Sequence, residues 1–200
     1  MRFEEIISCV PPCEVLLEVG CDHALLTLLA LNKGICKSAI VSDISDACLS
    51  KARENLKSHE NCEFYVCDGI PTQANADCIL ICGMGGHTIE HILSGYNGRA
   101  TLVVSPQSHA ELVRQKLAEM GYAIRIDRCF EDKGKFYDVI RAEKGSSELD
   151  ELQIHFGVFY KEKNPCLKRK LERRLNELKK GKDANADKIK KISEVLLWQK

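Results

Sequence analysis

Apolar positions alternate along the chain between two periods. Val15-Leu16-Leu17-Glu18-Val19 is a short apolar run closed by Gly20, the pattern of a buried parallel strand. His23–Lys33 is apolar nearly all round and too long for a strand, which predicts a helix packed deep against a sheet. Ala39–Asp43 predicts the second strand, and Asp46–Lys57 an amphipathic helix with Ala47, Leu49, Ala52 and Leu56 turned inward. Glu63–Cys67 and Asp77–Cys82 predict the third and fourth strands, Gly86–Leu93 a helix, Ala100–Ser105 a fifth strand and His109–Met120 another helix. The rhythm then changes. Tyr122–Glu131 and Lys135–Glu143 are extended runs with only Asp132-Lys133-Gly134 between them, an antiparallel hairpin. The expected fold is α/β: a doubly wound, seven-stranded, mostly parallel sheet with an antiparallel edge hairpin.

Gly145-Ser146-Ser147 marks a boundary between a body (residues 1–145) and a tail (146–200). In the tail, Leu167, Leu171, Leu175 and Leu178 form one stripe of a helix, with Asn164-Pro165 as its cap and first-turn proline. A polar turn over 181–187 leads to a second stripe, Ile189, Ile192, Val195 and Leu196. The two helices are expected to pair as an antiparallel C-terminal helical hairpin.

Composition narrows the classes. Of 200 residues, 44% are hydrophobic and 29% charged, enough apolar surface to exclude disorder over the whole length. No apolar run approaches the roughly 20 residues of a membrane span, and the acidic N-terminus does not read as a signal peptide. Eleven cysteines raise disulfide and zinc readings. The odd count, the lack of any Cys-x-x-Cys and the placement of many in apolar runs favour free thiols, no metal and a reducing, cytoplasmic location. The formal net charge of zero hides an asymmetry: residues 1–145 carry 15 basic and 20 acidic side chains, residues 146–200 carry 14 and 9. A basic tail suggests a polyanionic partner, a solvated helix face being the other reading.

Ligands of such a sheet lie outside the carboxyl ends of its strands. The first turn, Glu18-Val19-Gly20-Cys21-Asp22-His23, lacks the three glycines of a dinucleotide site, and Asp22 would repel a pyrophosphate. S-adenosylmethionine has no phosphates, and the expected layout is that of the class I (Rossmann-like) methyltransferases that bind it. Glu18, Gly20 and Asp22 are therefore cofactor-side candidates. Asp43 can take both ribose hydroxyls and Ile44 can cover an adenine face, while Asp68-Gly69 ends the third strand, where an acid can accept an adenine amino group. Gly83-Met84-Gly85-Gly86 concentrates three glycines in four residues, which points to a close approach of backbone to something, best read as the reactive end of the cofactor.

Val19-Gly20-Cys21-Asp22-His23-Ala24, Cys67-Asp68-Gly69, Ile81-Cys82-Gly83-Met84-Gly85-Gly86 and Glu131–Tyr137 together resemble the bacterial TrmK family, from about Val15 to the end of the chain. The resemblance implies S-adenosylmethionine-dependent methylation of adenosine N1 at position 22, in the tRNA D-arm. Three departures stand out. Ser105-Pro106-Gln107 replaces the family's usual Gln-Pro-Asn, Thr27 stands where proline is common, and the N-terminal helix is abbreviated. Asp22 is expected to hold the adenine amino group and offset developing positive charge, with Gln107 orienting the same edge. His23 either takes part in catalysis or merely caps or packs, and Tyr137 reads as core, with stacking on the base as the alternative. Lys168, Arg169, Lys170, Arg173 and Arg174 are the expected phosphate contacts. The chain is expected to be a monomer or weak dimer. A methyltransferase of a small molecule or protein, and a non-catalytic RNA-binding relative, are the competing readings.

Overall fold

The computed structural model describes residues 2–180 and 186–200. Seven strands, β1 (Cys13–Val19), β2 (Cys36–Asp43), β3 (Cys62–Val66), β4 (Cys78–Cys82), β5 (Thr101–Ser105), β6 (Tyr122–Asp132) and β7 (Lys135–Lys144), form one sheet in the order β3-β2-β1-β4-β5-β7-β6. The first five are mutually parallel and the β6–β7 hairpin closes the edge antiparallel, as the pattern predicts. β6 runs through Asp132, so only Lys133 and Gly134 remain in the turn. Both have positive φ (51° and 75°), the two-residue geometry that matches strand twist.

Unbroken apolar runs arise because both sheet faces are covered. Leu17, Ile79, Ile81, Leu102 and Val104 face α4 (Gly86–Ser94) and α5 (Ala110–Glu119). Their neighbours Leu16, Leu80 and Val103 face α1 (Arg2–Ile7) and α2 (Leu25–Asn32). Leu49, Ala52 and Leu56 of α3 (Asp46–Asn55) and its C-terminal cap pack beneath Val41 as expected, but Ala47 is exposed. Its small side chain has little area to bury, and the stripe closes without it.

The tail begins with α6 (Glu151–Phe156), a helix the periodicity misses. A reciprocal capping box starts it: Asp150 accepts from the Gln153 amide N–H and Gln153 accepts from the Asp150 amide N–H. α7 (Pro165–Lys180) starts where expected, Asn164 Oδ1 accepting from the amides of Cys166 and Leu167. The polar turn expected over 181–187 lies mostly outside the described residues. Its last two, Ala186 and Asp187, instead begin α8 (Ala186–Trp198). Leu167, Leu171, Ile192 and Val195 are buried together, and the Gln199 side chain accepts from the Asn164 amide, so the end of α8 meets the start of α7. The pair is the expected antiparallel hairpin.

It is seated on the body by polar contacts. Arg169 pairs with Glu131 at 2.9 Å, Lys170 with Asp138 at 2.5 Å, and Arg173 donates to the Gly134 carbonyl. Deeper, Arg114 of α5 makes a two-pronged ion pair with Asp127 of β6 (2.7 and 3.0 Å), both side chains only 2–3% exposed. Arg114 also donates to the Ile154 carbonyl and Asp127 accepts from the Val158 amide, so this pair joins α5, the sheet and the first residues of the tail.

Candidate active site

The chain runs outward from β1 to β2 and β3 on one side and returns through β4 and β5 on the other, so strand order reverses between β1 and β4. That is where a parallel sheet opens a crevice at its carboxyl edge. A cavity of about 290 Å³ lies there, walled by Glu18 and Gly20 to His23 from β1 and its turn, Cys82 to Met84 from the end of β4 and its loop, Ser105 and Gln107 from the end of β5 and the loop after it, Tyr137 from β7 and Arg2, Phe3 and Ile6 from α1.

The β1 turn is held in an unusual backbone. Gly20, Asp22 and Ala24 all have positive φ (69°, 48° and 51°). Such a conformation at two non-glycine residues costs of order 1–2 kcal/mol each, the kind of local strain found at functional sites. Asp43 ties the turn down: one carboxylate oxygen accepts from the Asp22 amide (3.3 Å) and the other from the Ser45 amide (2.9 Å). Lone pairs remain on both oxygens for further donors. The Asp22 side chain is 72% exposed, with His23 Nε2 at 3.5 Å from it. His23 does not cap α2: Ala24 occupies the cap position without a side-chain bond, and the His23 carbonyl accepts from Asn55.

Glu18 is the buried acid of the site. Its carboxylate accepts both the amide and the hydroxyl of Thr27, two donors that a proline at that position would lack. Burial nevertheless pushes its carboxyl up to about 7, the Thr27 bonds opposing only part of the rise. Because the folded value lies above the unfolded one, the fold loses stability as pH climbs from about 4.5 to 7, by roughly 3 kcal/mol in all. Glu18→Gln, which mimics the protonated form, should therefore raise Tm by roughly 5 °C or more at pH 8 and change it little at pH 4.5. Thermal melts at the two pH values measure the difference. Two thiols share the cleft. Burial pushes Cys21 up to about 12, with the charges of Glu18 and Asp43 adding, and burial likewise raises Cys82, so both stay protonated and neither serves as a nucleophile near neutral pH.

The glycine-rich loop divides its labour. A Cβ on Gly86 would stand 2.2 Å from the His109 carbonyl oxygen, and the Gly86 amide donates to the Ser108 carbonyl. That glycine serves the contact between neighbouring loops, which corrects the expectation that all three face a cofactor. Gly85 sits against the Ser108 hydroxyl, whereas Gly83 (φ 81°) opens onto empty space. Met84 packs its methyl group over Gly20, where a Cβ would be 1.9 Å away, and its carbonyl accepts from the Gln107 amide.

Of the expected residues, the cavity gathers Glu18, Gly20, Asp22, His23, Gly83, Met84 and Gln107. Asp43 adjoins it through the turn, and Ile44 beside it is 71% exposed, an apolar side chain placed beside that carboxylate. Asp68 lines a neighbouring groove, and Gly69 is buried under Ile92 with its carbonyl taken by Ser42. Tyr137 is neither core nor free: it lines the cavity and stacks on Phe130, ring centroids 5.4 Å apart. On α7, Arg169 and Lys170 are engaged with the hairpin, Arg173 and Arg174 share Glu177, and Lys168 is half-buried. Sequence reasoning missed Arg2, Phe3 and Ile6, although Phe3, Ile6 and Ile7 at helical spacing were the available signal.

The donor set suits S-adenosylmethionine. Carboxylates at the ends of β1 and β2 match a cationic, diol-bearing ligand without phosphates, and Gly83 leaves backbone room. Sheet order and rim together define a Rossmann-like methyltransferase. Comparison with known proteins agrees. A methyltransferase-domain family matches residues 1–140. The tRNA (adenine(22)-N(1))-methyltransferase of Bacillus subtilis is 31% identical over 185 residues, 84% of this chain and 78% of that one. The crystal structure of the B. subtilis m1A22 tRNA methyltransferase TrmK superposes with a TM-score of 0.81 at 25% identity, covering 99% of this chain and 95% of that one. Streptococcus pneumoniae Sp1610 in complex with S-adenosyl-L-methionine gives 0.89 at 28% identity, with 98% of each chain covered. The chain belongs to the tRNA (adenine(22)-N(1))-methyltransferase family.

Proposed function

We infer that this protein transfers a methyl group from S-adenosylmethionine to N1 of adenine 22 in tRNA. The observation that carries the reading is the convergence of Asp22, Gln107 and the open Gly83 backbone on one cleft at the strand-order reversal. When bound, S-adenosylmethionine supplies an electrophilic sulfonium methyl group.

Adenine N1 already carries an in-plane lone pair, so the protein need not remove a proton before transfer. Its work is placement and exclusion of water, which can account for several kcal/mol of barrier. Asp22 accepts a hydrogen bond from the 6-amino group and stabilises the positive charge that grows on the ring. Gln107, fixed to the glycine loop through its amide bond to Met84, presents its side-chain amide to the same base edge. Glu18, Gly20, Asp22, Asp43, Ile44, Gly83, Met84 and Gly85 form the cofactor side in this reading, with Asp68 and Gly69 at its far end. His23 sets the position of Asp22. A base engaged in pairing or stacking must first swing out to reach the cleft.

Residues 1–145 act as the catalytic body and residues 146–200 as a tRNA-binding unit, with Lys168, Arg173 and Arg174 facing phosphates, joined by Arg169 and Lys170 where they leave their protein partners. In this reading the protein works in the cytoplasm as a monomer or weak dimer, the location being supported by the free thiols of its eleven cysteines and by a tRNA substrate. Among the described residues no helix is long and apolar enough to cross a membrane, and no cluster of side chains could hold a metal ion.

Incubation of the purified protein with unmodified tRNA and labelled S-adenosylmethionine, followed by nucleoside mapping, should place the label on N1 of adenine 22. Binding of the tRNA should weaken steeply with added salt. Label elsewhere, or no affinity for the donor by calorimetry, overturns the reading.

A further inference from the structure

Two sulfur atoms meet where the tail is seated on the body. Cys129 of β6 and Cys166, the second residue of α7, are 37 positions apart in the chain, yet their Sγ atoms lie 3.0 Å from each other. Both are carried on fixed backbone. Cys129 stands opposite Asp138 in the β6–β7 ladder, and the Cys166 amide donates to Asn164 Oδ1 in the cap of α7. Two ion pairs bracket the contact: Lys170, one turn beyond Cys166, reaches Asp138, and Arg169 reaches Glu131, two residues beyond Cys129. Among the described residues, no other two thiols are in hydrogen-bonding contact. The pair is not sealed from solvent. Both cysteines are half-buried, and Cys129 lines a cavity of about 400 Å³ between β6 and the tail.

A disulfide bond is about 2.05 Å long, so closing one here takes a shift of about 1 Å. The surroundings are charged, unlike the apolar interior where Cys9 and Cys78 act as small hydrophobes with no exposed surface. We propose that Cys129 and Cys166 form a reversible oxidation site, in which hydrogen peroxide closes a disulfide that staples α7 to β6 and a dithiol reopens it. Burial pushes the Cys129 thiol well up, with Asp138 and Cys166 adding to the rise and Lys170 opposing it. Burial and the charge of Glu131 also raise Cys166, but the contact with Cys129 and the charges of Arg169 and Lys170 oppose them. Cys166 therefore reacts first, through its thiolate. Its sulfur attacks one peroxide oxygen, the O–O bond breaks, and the departing hydroxide takes up the thiol proton and leaves as water. The sulfenic acid so formed is attacked by the Cys129 sulfur, whose proton leaves with the hydroxyl group as a second water. Two thiols and one peroxide become one disulfide and two waters, the peroxide accepting two electrons. The polar seat of the tail thereby becomes a covalent one.

The test uses the reduced, folded full-length protein and its Cys129→Ser and Cys166→Ser variants, each treated with hydrogen peroxide in a time course. Remaining thiols are alkylated, and disulfide-linked peptides are mapped by mass spectrometry. In the wild type, the Cys129–Cys166 link should be the first disulfide to appear. The oxidised protein should melt roughly 5 °C or more above the reduced one, because the bond shortens the loops open to the unfolded chain. Dithiothreitol should reverse both changes. In each serine variant, peroxide should leave the melting temperature where it was, a comparison made within one variant and so independent of its starting stability. The map of the wild type decides the pairing even if a variant folds poorly. A different pair linked first, or Cys129 and Cys166 still open to alkylation once other thiols are oxidised, overturns the site. A link that forms without raising the melting temperature, or an equal rise in either serine variant, overturns the staple.

Discussion

Asp22→Asn should methylate unmodified tRNA about 100-fold more slowly than the wild type in single-turnover assays, close to 3 kcal/mol of lost transition-state stabilisation. Asparagine is the informative replacement because residue 22 sits at φ 48°, a conformation asparagine tolerates and alanine resists. The amide keeps an acceptor for the 6-amino group and keeps the backbone bond to Asp43, which comes from the residue 22 amide N–H and not its side chain. What it removes is the negative charge that meets a ring turning cationic. In the free protein that charge is 72% exposed and well screened. A base seated over it excludes water and strengthens the interaction when it matters. The loss should fall on kcat more than on KM, and activity within about threefold of wild type would remove Asp22 from the chemistry.

Asp127→Ala should lower stability by roughly 3–5 kcal/mol in urea unfolding, as expected when one partner of a buried ion pair is removed. The change strands the Arg114 guanidinium in a site where it is 3% exposed, and it also removes the acceptor of the Val158 amide. Burial opposes the charged form of Arg114, and the charge and hydrogen bonds of Asp127, joined by the charges of Asp138 and Glu111, together outweigh that opposition and raise its affinity for the proton. The double replacement Arg114→Met with Asp127→Leu should recover most of the loss, since it leaves no unpaired charge. A midpoint change worth less than about 1 kcal/mol for Asp127→Ala would mean that the pair does not hold the tail to the body.

That ion pair also shows what a sequence withholds. Strands and long helices were legible because burial on both sheet faces writes itself into consecutive residues, as at Leu16 and Leu17, which point to opposite layers. The rim acids and glycines were legible because a strand end followed by a turn limits which residue types fit. Arg114 and Asp127 carry no such mark: thirteen positions apart on different elements, they meet only after α5 folds back against β6. Gly86 looked like a ligand-facing glycine because the carbonyl it must clear belongs to a loop more than twenty residues away. Thr27 read as a departure from a family habit, and only the buried Glu18 explains why a donor belongs there. The short helix α6 offered too few turns for a periodic signal, and its mark in the sequence is the Asp150–Gln153 capping box.

The seating of α7 bears on how the tail would take up nucleic acid. Since Glu131 and Asp138 already neutralise Arg169 and Lys170, these two side chains have shed mobile counter-anions in the free protein. An arriving phosphate must outcompete an intramolecular rival for each of them, and the entropy usually gained from ions set loose is correspondingly smaller there. Under the proposed tRNA-binding role of the tail, the hairpin acids would act as a built-in brake on indiscriminate adhesion to RNA, leaving selectivity to the shape of the cleft.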